Sequence, residues 1–193
     1  MMKLAWLSAQ VLYLYAPLLL SAAISGLVMR LDALRALRKP IDGGRSYHGR
    51  RVFGDSKTWR GVVLAVAGCV LGAAIQKHLI GLRAGQLALV DYANVNVWVF
   101  GLAMGGGAML GELPNSFVKR RLDIAPGATA TGSQRVLFYV WDQIDLLTTS
   151  WPLLACWVRP SLALVSVSVL VTLTLHPLSS LIGYIIGARR TAR

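Results

Sequence analysis

Apolar residues run along this chain in long blocks, not in helical stripes or strict alternation. Five blocks stand out, in round bounds Ala5–Met29, Gly61–Ile80, Val95–Leu110, Val136–Val158 and Ser161–Ala188. A helix needs about 20 such residues to cross a hydrocarbon core. The pattern therefore predicts an all-α, polytopic membrane protein: five transmembrane helices with two cytoplasmic polar loops, in a single integral-membrane domain over 1–193. The first block is too long for the apolar core of a secretion signal, and further spans follow it. Little more than Arg159-Pro160 joins the fourth and fifth blocks, which predicts an antiparallel hairpin. His176-Pro177 predicts a kink in the fifth.

Composition supports a membrane protein. The chain is 55% hydrophobic and only 15% charged, with a mean hydropathy of +0.58, too apolar for an ordinary soluble domain. Cys69 and Cys156 both fall in apolar blocks and imply neither a disulfide framework nor a zinc site. A net charge of +12 is read here as loop charge facing anionic headgroups, with no nucleic acid expected as a partner.

The basic residues also orient the chain. Arg30, Arg35, Arg38, Lys39, Arg45, Arg50, Arg51, Lys57 and Arg60 lie between the first two blocks. Lys119, Arg120, Arg121 and Arg135 lie between the third and fourth, and Arg189, Arg190 and Arg193 follow the fifth. Only Lys3, Lys77, Arg83 and Arg159 of the 20 Lys and Arg remain for the other side. This bias predicts an inner (plasma) membrane protein with its N-terminus outside, its C-terminus in the cytoplasm and its chemistry facing the cytoplasm.

Against that background, Asp142 and Asp145 are an energetic anomaly. They sit three residues apart within an apolar stretch, where one ionised carboxylate costs on the order of 3 kcal/mol. Residues i and i+3 are neighbours on a helix, so the two also repel. A divalent cation is the simplest compensation.

Two further constellations carry candidate chemistry. The first loop reads Pro40-Ile-Asp42-Gly-Gly44, then Arg51-Val-Phe-Gly54-Asp55-Ser-Lys57-Thr58-Trp-Arg60-Gly61. Its glycines allow backbone N–H groups to approach phosphate, and its cations neutralise it. It is not a P-loop, because no glycine directly precedes Lys57. The second constellation is Gly105-Gly-Gly107, Gly111-Glu112-Leu-Pro114-Asn115-Ser116, then Lys119-Arg120-Arg121. Glu112 is ionisable at membrane depth, and Pro114 predicts a helix break that lines a cavity. Three carboxylates beside a basic surface suggest a metal with phosphate chemistry. The residues themselves do not choose between a kinase, a phosphatase and a nucleotidyltransferase.

These three blocks, in this order, together resemble the CDP-archaeol synthase family, which is related to phosphatidate cytidylyltransferase. The resemblance spans most of the chain. It implies five transmembrane helices, a cytoplasmic-facing cavity and a magnesium-dependent cytidylyltransferase. Such an enzyme transfers CMP from CTP to a membrane lipid phosphate, phosphatidate-like or ether-linked, and releases pyrophosphate in phospholipid biosynthesis. Two departures stand out: Glu112 where the family usually has Asp, and no Asn near Ser21-Ala22-Ala23. The long segment from Arg121 to Asp142 points to a bacterial-type member.

Carried onto this sequence, the resemblance makes Lys57, Asp142 and Asp145 catalytic. Asp142 and Asp145 would hold Mg2+, with Glu112 as third ligand. Lys57, Thr58 and Arg60 would hold the triphosphate of CTP, and Lys119, Arg120 and Arg121 the lipid phosphate or triphosphate. Asp42 and Asp55 are assigned to nucleotide or metal, and Asn115 and Ser116 to substrate. The alternative is a non-catalytic or diverged membrane protein that binds nucleotide or anionic lipid.

Overall fold

The computed structural model describes residues 2–126, 128, 132 and 134–185, without the side chains of 2, 83, 143, 146 and 176–185. The described residues are mostly helical. Among the described residues six α-helices follow in order: α1 (Met2–Arg30), α2 (Trp59–Leu79), α3 (Val97–Gly101), α4 (Gly107–Arg121), α5 (Gln134–Leu154) and α6 (Leu162–Ile185). Three helices are long and apolar enough to cross a membrane among the described residues: Lys3–Arg30, Trp59–Leu79 and Val97–Arg121. The sequence pattern predicts five. The fourth expected span, α5, carries Asp142, Gln143 and Asp145. The apolar part of the fifth is described only over Leu162–Leu175. The basic tail at Arg189, Arg190 and Arg193 and the side chain of His176 lie outside the described residues.

α3 and α4 form one rod, joined by a π-helical turn over Leu102–Gly106. The break expected at Pro114 is absent, since α4 is helical through Leu113 and Pro114. Pro114 stands on the exposed side of the helix, so its ring has room. The irregular turn falls instead at Leu102–Gly106, just before Gly107.

Glycines set how closely these helices approach. A Cβ on Gly68 would lie 2.5 Å from the Ser21 Cα, and one on Gly72 the same distance from the Pro17 Cα. This small-xxx-small seam locks α2 onto α1. Gly101 and Gly105 press the rod onto α2 at Val70 and Ala65 in the same way. An edge-to-face aromatic chain of Tyr13, Tyr92, Phe100 and Trp157 fills the core at the end far from the polar loops.

The first polar loop contains a short antiparallel hairpin that the all-α expectation omits. β1 (Ser46–Tyr47) pairs with β2 (Arg50–Arg51), Ser46 opposite Arg51 and Tyr47 opposite Arg50. His48 and Gly49 turn it, both with positive φ, at 48° and 72°, as a two-residue type I′ turn requires.

Candidate functional site

The first loop is built around Asp42. Its Oδ1 accepts from the Gly44 N–H at 3.0 Å and from Arg51 Nη2 at 2.7 Å, and its Oδ2 accepts from the N–H groups of Phe53 and Gly54 at 3.0 and 3.1 Å. Burial pushes this carboxyl up, but the Arg51 guanidinium and the three backbone donors outweigh burial and hold it down at about 2. Asp55 is exposed and meets the other arm of Arg51 at 2.6 Å. Asp42 and Asp55, expected on nucleotide or metal, are thus engaged in folding the loop.

The loop closes on itself where Ile41 N–H donates to the Lys57 carbonyl at 2.9 Å and Trp59 N–H to the Lys39 carbonyl at 3.0 Å. This closure delivers Lys57 and Thr58 to the start of α2. Thr58 is the N-cap there, its Oγ1 accepting from the Gly61 N–H at 3.3 Å. Arg60 points away from the loop, to the Ala33 carbonyl at 3.1 Å and Asp32 at 3.4 Å. Arg60, expected on the triphosphate, therefore tethers the end of α1.

Arg121 is also occupied. It donates to the carbonyls of Tyr47, Arg50 and Arg51 at 2.7, 3.0 and 2.6 Å, and its guanidinium lies 4.7 Å from the Phe117 ring centroid. Arg50 returns the contact, donating to the Arg121 carbonyl and pairing with Asp123 at 2.6 Å. The hairpin is in this way pinned to the end of α4.

Residues four apart form a row along a helix, and α4 presents two adjacent rows. Gly107, Gly111, Asn115 and Lys119 face α5. Thr149 Oγ1 donates to the Gly107 carbonyl at 2.6 Å, and a Cβ on Gly111 would lie 2.2 Å from the Asp145 carbonyl oxygen. One turn on, Asn115 Nδ2 donates to Asp142 Oδ1 at 2.5 Å and Asp145 Oδ2 at 3.1 Å. Lys119 Nζ pairs with the same Asp142 oxygen. Asp145 and Asn115 are buried, whereas the Asp142 side chain is 37% exposed.

Glu112, Ser116 and Arg120 form the second row, toward the first loop. Glu112 pairs with Lys57, on the wall of a cavity of about 430 Å³ also lined by Phe53, Thr58, Met109 and Leu110. Arg120 is buried, packed against Gly54, and its Nε and Nη1 have no hydrogen-bond partner among the described residues. Gly54 has φ +89°, and a Cβ there would lie 2.9 Å from Pro126 and 3.1 Å from Arg120 Nη1.

The structure brings Asp142, Asp145, Asn115 and Lys119 together, but it does not bring Glu112 to the aspartates. Among the described residues no group of three or more His, Cys, Asp or Glu is arranged to hold a metal. Glu112 lies one residue beyond Gly111, about 100° around the helix, and so faces the loop. Asn115 stands where the third carboxylate was expected, and its Oδ1 is buried with no hydrogen-bond partner among the described residues. The Asn115 amide turns its Nδ2 to the two carboxylates, so Asp142 and Asp145 offer hard oxygens that suit magnesium, and Asn115 would join them only with its amide flipped to present Oδ1. Sequence reasoning did not find the seam at Gly107 and Gly111 or the role of Thr149. The four-residue spacing Gly107, Gly111, Asn115, Lys119 is the signal that would have shown it.

The CarS-like CDP-archaeol synthase family matches residues 7–191. A CDP-archaeol synthase of Halobacterium salinarum is 39% identical over 163 residues, 78% of this chain and 81% of that one. One from Methanosarcina barkeri is 30% identical over 167 residues, 79% of this chain and 89% of its own. A solved structure of an intramembrane enzyme for archaeal membrane lipid biosynthesis aligns with a TM-score of 0.57 at 27% identity, over 86% of this chain and 89% of that one. These relatives are archaeal, which corrects the bacterial-type expectation. That expectation rested on the length of the segment from Arg121 to Asp142, and loop length drifts at little energetic cost.

Proposed function

The chain belongs to the CDP-archaeol synthase family, and on that footing we propose that it is a nucleotidyltransferase of the membrane that moves CMP from CTP to the phosphate of an ether lipid. A lipid phosphate oxygen attacks the α-phosphorus of CTP, the bond from that phosphorus to the bridging oxygen breaks, and pyrophosphate leaves. The ether-lipid assignment follows the archaeal relatives and replaces the phosphatidate-like substrate. We further propose five spans in a single domain, with both polar loops cytoplasmic and the N-terminus outside.

The observation that supports this reading most is the Asn115 carboxamide between Asp142 and Asp145. We assign magnesium to Asp142 and Asp145, with Asn115 joining them through Oδ1 once its amide flips. A bound magnesium ion would neutralise triphosphate charge and so favour attack on the α-phosphorus. Phosphoryl-type transfer asks little covalent chemistry of a protein and depends on positioning and charge. Lys57 and Thr58, on the wall of the cavity, hold the triphosphate. Arg120 supplies a buried cation to a phosphate, with the Ser116 hydroxyl between it and Glu112. Arg51 and Arg121 act by holding the loop in shape, and Arg60 by tethering the end of α1. The apolar cavity wall at Met109 and Leu110 suits a hydrocarbon chain.

The test supplies purified protein in lipid nanodiscs with labelled CTP, magnesium and either an ether-lipid phosphate or phosphatidate. CDP-lipid is expected, in greater yield from the ether lipid, and Asp142→Asn is expected to abolish it. Turnover retained by the Asp142→Asn, Asp145→Asn double variant would overturn the metal assignment. Magnesium-dependent CTP binding without turnover on either lipid would instead support the diverged, non-catalytic reading.

A further inference from the structure

Lys119 stands on a carboxylate that a cation would have to bind. Its ammonium pairs with Asp142 Oδ1, the carboxylate oxygen that Asn115 also reaches. The same ammonium lies 5.5 Å from the Phe138 ring centroid. Asp142, Asp145 and Lys119 together carry one net negative charge, a weak attraction for a divalent cation. Cation binding in the absence of nucleotide would also leave the ammonium beside a second positive charge, displaced from its partner.

We propose that Lys119 is an exchangeable counter-ion: it neutralises Asp142 while the site is empty and transfers to phosphate when nucleotide and cation enter together. This rests on the reading of Asp142 and Asp145 as the cation site. Three features support exchange over a fixed ion pair. Asp142 is more than a third exposed, so a cation can reach it from solvent, although the Lys119 side chain itself is only 14% exposed. Asp145, on the inner side, is buried against α4 and is held by Asn115, so the cluster keeps its shape when the lysine leaves. Lys57 and Glu112 repeat the arrangement on the next row of α4, placing a second carboxylate-held lysine beside the cavity. Each lysine is held on a carboxylate until a phosphate arrives to accept it.

Exchange makes cation and nucleotide binding mutually dependent. Nucleotide removes the competitor for Asp142, and the cation liberates the donor for phosphate. Linkage requires each to raise the affinity of the other by the same factor. Lys119 is in this account a positioning residue for the cation and a direct phosphate ligand for the nucleotide.

The test uses manganese(II), a paramagnetic stand-in for magnesium, and follows its binding by electron paramagnetic resonance to the full chain in nanodiscs. Each protein is titrated with and without a CTP analogue that has a methylene in place of the α,β-bridging oxygen. Lys119→Met is expected to bind manganese about tenfold tighter than wild type without nucleotide and to lose most of the enhancement that the analogue produces. Lys119→Arg, which keeps the competitor, is expected to behave like wild type. Lys119→Gln serves in place of the methionine variant if thermal melting shows the latter unfolded. Manganese affinity that is unchanged or lowered in a folded, neutral Lys119 variant would overturn the exchange and leave the lysine a fixed strut. If wild type binds no manganese even with the analogue, or the Asp142→Asn, Asp145→Asn variant binds it undiminished, the cation-site reading itself fails.

Discussion

Gly111 packs against the backbone of Asp145 so closely that a Cβ at 111 would lie 2.2 Å from the Asp145 carbonyl oxygen and 2.5 Å from Thr149 Oγ1. Neither helix backbone yields to such an overlap, so Gly111→Ala must drive α5 away from α4. Asp142 and Asp145 ride on α5 and would leave Asn115. A misplacement of about 1 Å costs roughly 100-fold in a positioned reaction. Gly111→Ala is expected to lose at least that much CDP-lipid synthesis. Gly106→Ala, which would meet only the Leu102 Cδ1 at 3.8 Å, should keep its activity. Labelled-CTP turnover compares the two.

The Asp42 carboxyl, held down at about 2 despite its burial, has an unfolded value of about 3.9. A lowered folded value stabilises the loop above about pH 4, and that stabilisation is lost as pH falls from there toward 2. The difference corresponds to about 2.6 kcal/mol. Proteolysis of residues 43–56 should therefore be slow and flat from pH 7 down to about 4, then rise, as followed with an acid-tolerant protease. Asp42→Asn should expose the segment already at pH 7. Arg51→Ala should do less, because three backbone donors still hold the carboxylate.

These two predictions rest on features that differ in how legible they are from the sequence. Long apolar runs mark α1 and α2, and Thr58 just before Trp59 marks where α2 begins. The aspartate pair stood out by its cost in lipid. What Lys119, Arg120 and Arg121 each do is not readable from their adjacency, because successive helical residues diverge by about 100°. One meets α5, one the Gly54 turn and one the hairpin, all distant in sequence. The bonds that Asp42 makes to Arg51 and to the N–H groups of Phe53 and Gly54 are not readable from Asp42-Gly-Gly, because these groups become neighbours only on folding. Two-residue strands carry no alternation to detect, so His48-Gly49 was the hairpin's only local signal.

Arg120 and Arg121 should separate function from stability. Arg121 makes three hydrogen bonds to carbonyls of the hairpin, each on the order of 1.5–3 kcal/mol with a charged donor. Arg121→Met should lower the melting temperature and loosen residues 46–51. Arg120, buried with Nε and Nη1 unsatisfied, destabilises the empty protein. Arg120→Met should melt at the same temperature as wild type or higher, yet bind CTP at least about tenfold more weakly, as expected for a charge-assisted phosphate contact. Thermal melting and nucleotide titration on both variants would check this.

Glu112 offers the sharpest discrimination between roles. A magnesium ligand cannot be replaced by an amide without a loss on the order of 100-fold or more, the cost of one strong transition-state contact. A counter-ion for Lys57 can, because glutamine leaves the lysine free for phosphate. Glu112→Gln is therefore expected to keep kcat within about tenfold, with an unchanged or lower KM for CTP, the signature of retained transition-state contacts. Lys57→Met, which removes the phosphate donor itself, should cut kcat/KM by at least about 100-fold. Adding Glu112→Gln to it should cost nothing further, because the carboxylate acts only through the lysine and the pair is non-additive. A double variant much worse than Lys57→Met alone would return Glu112 to the metal.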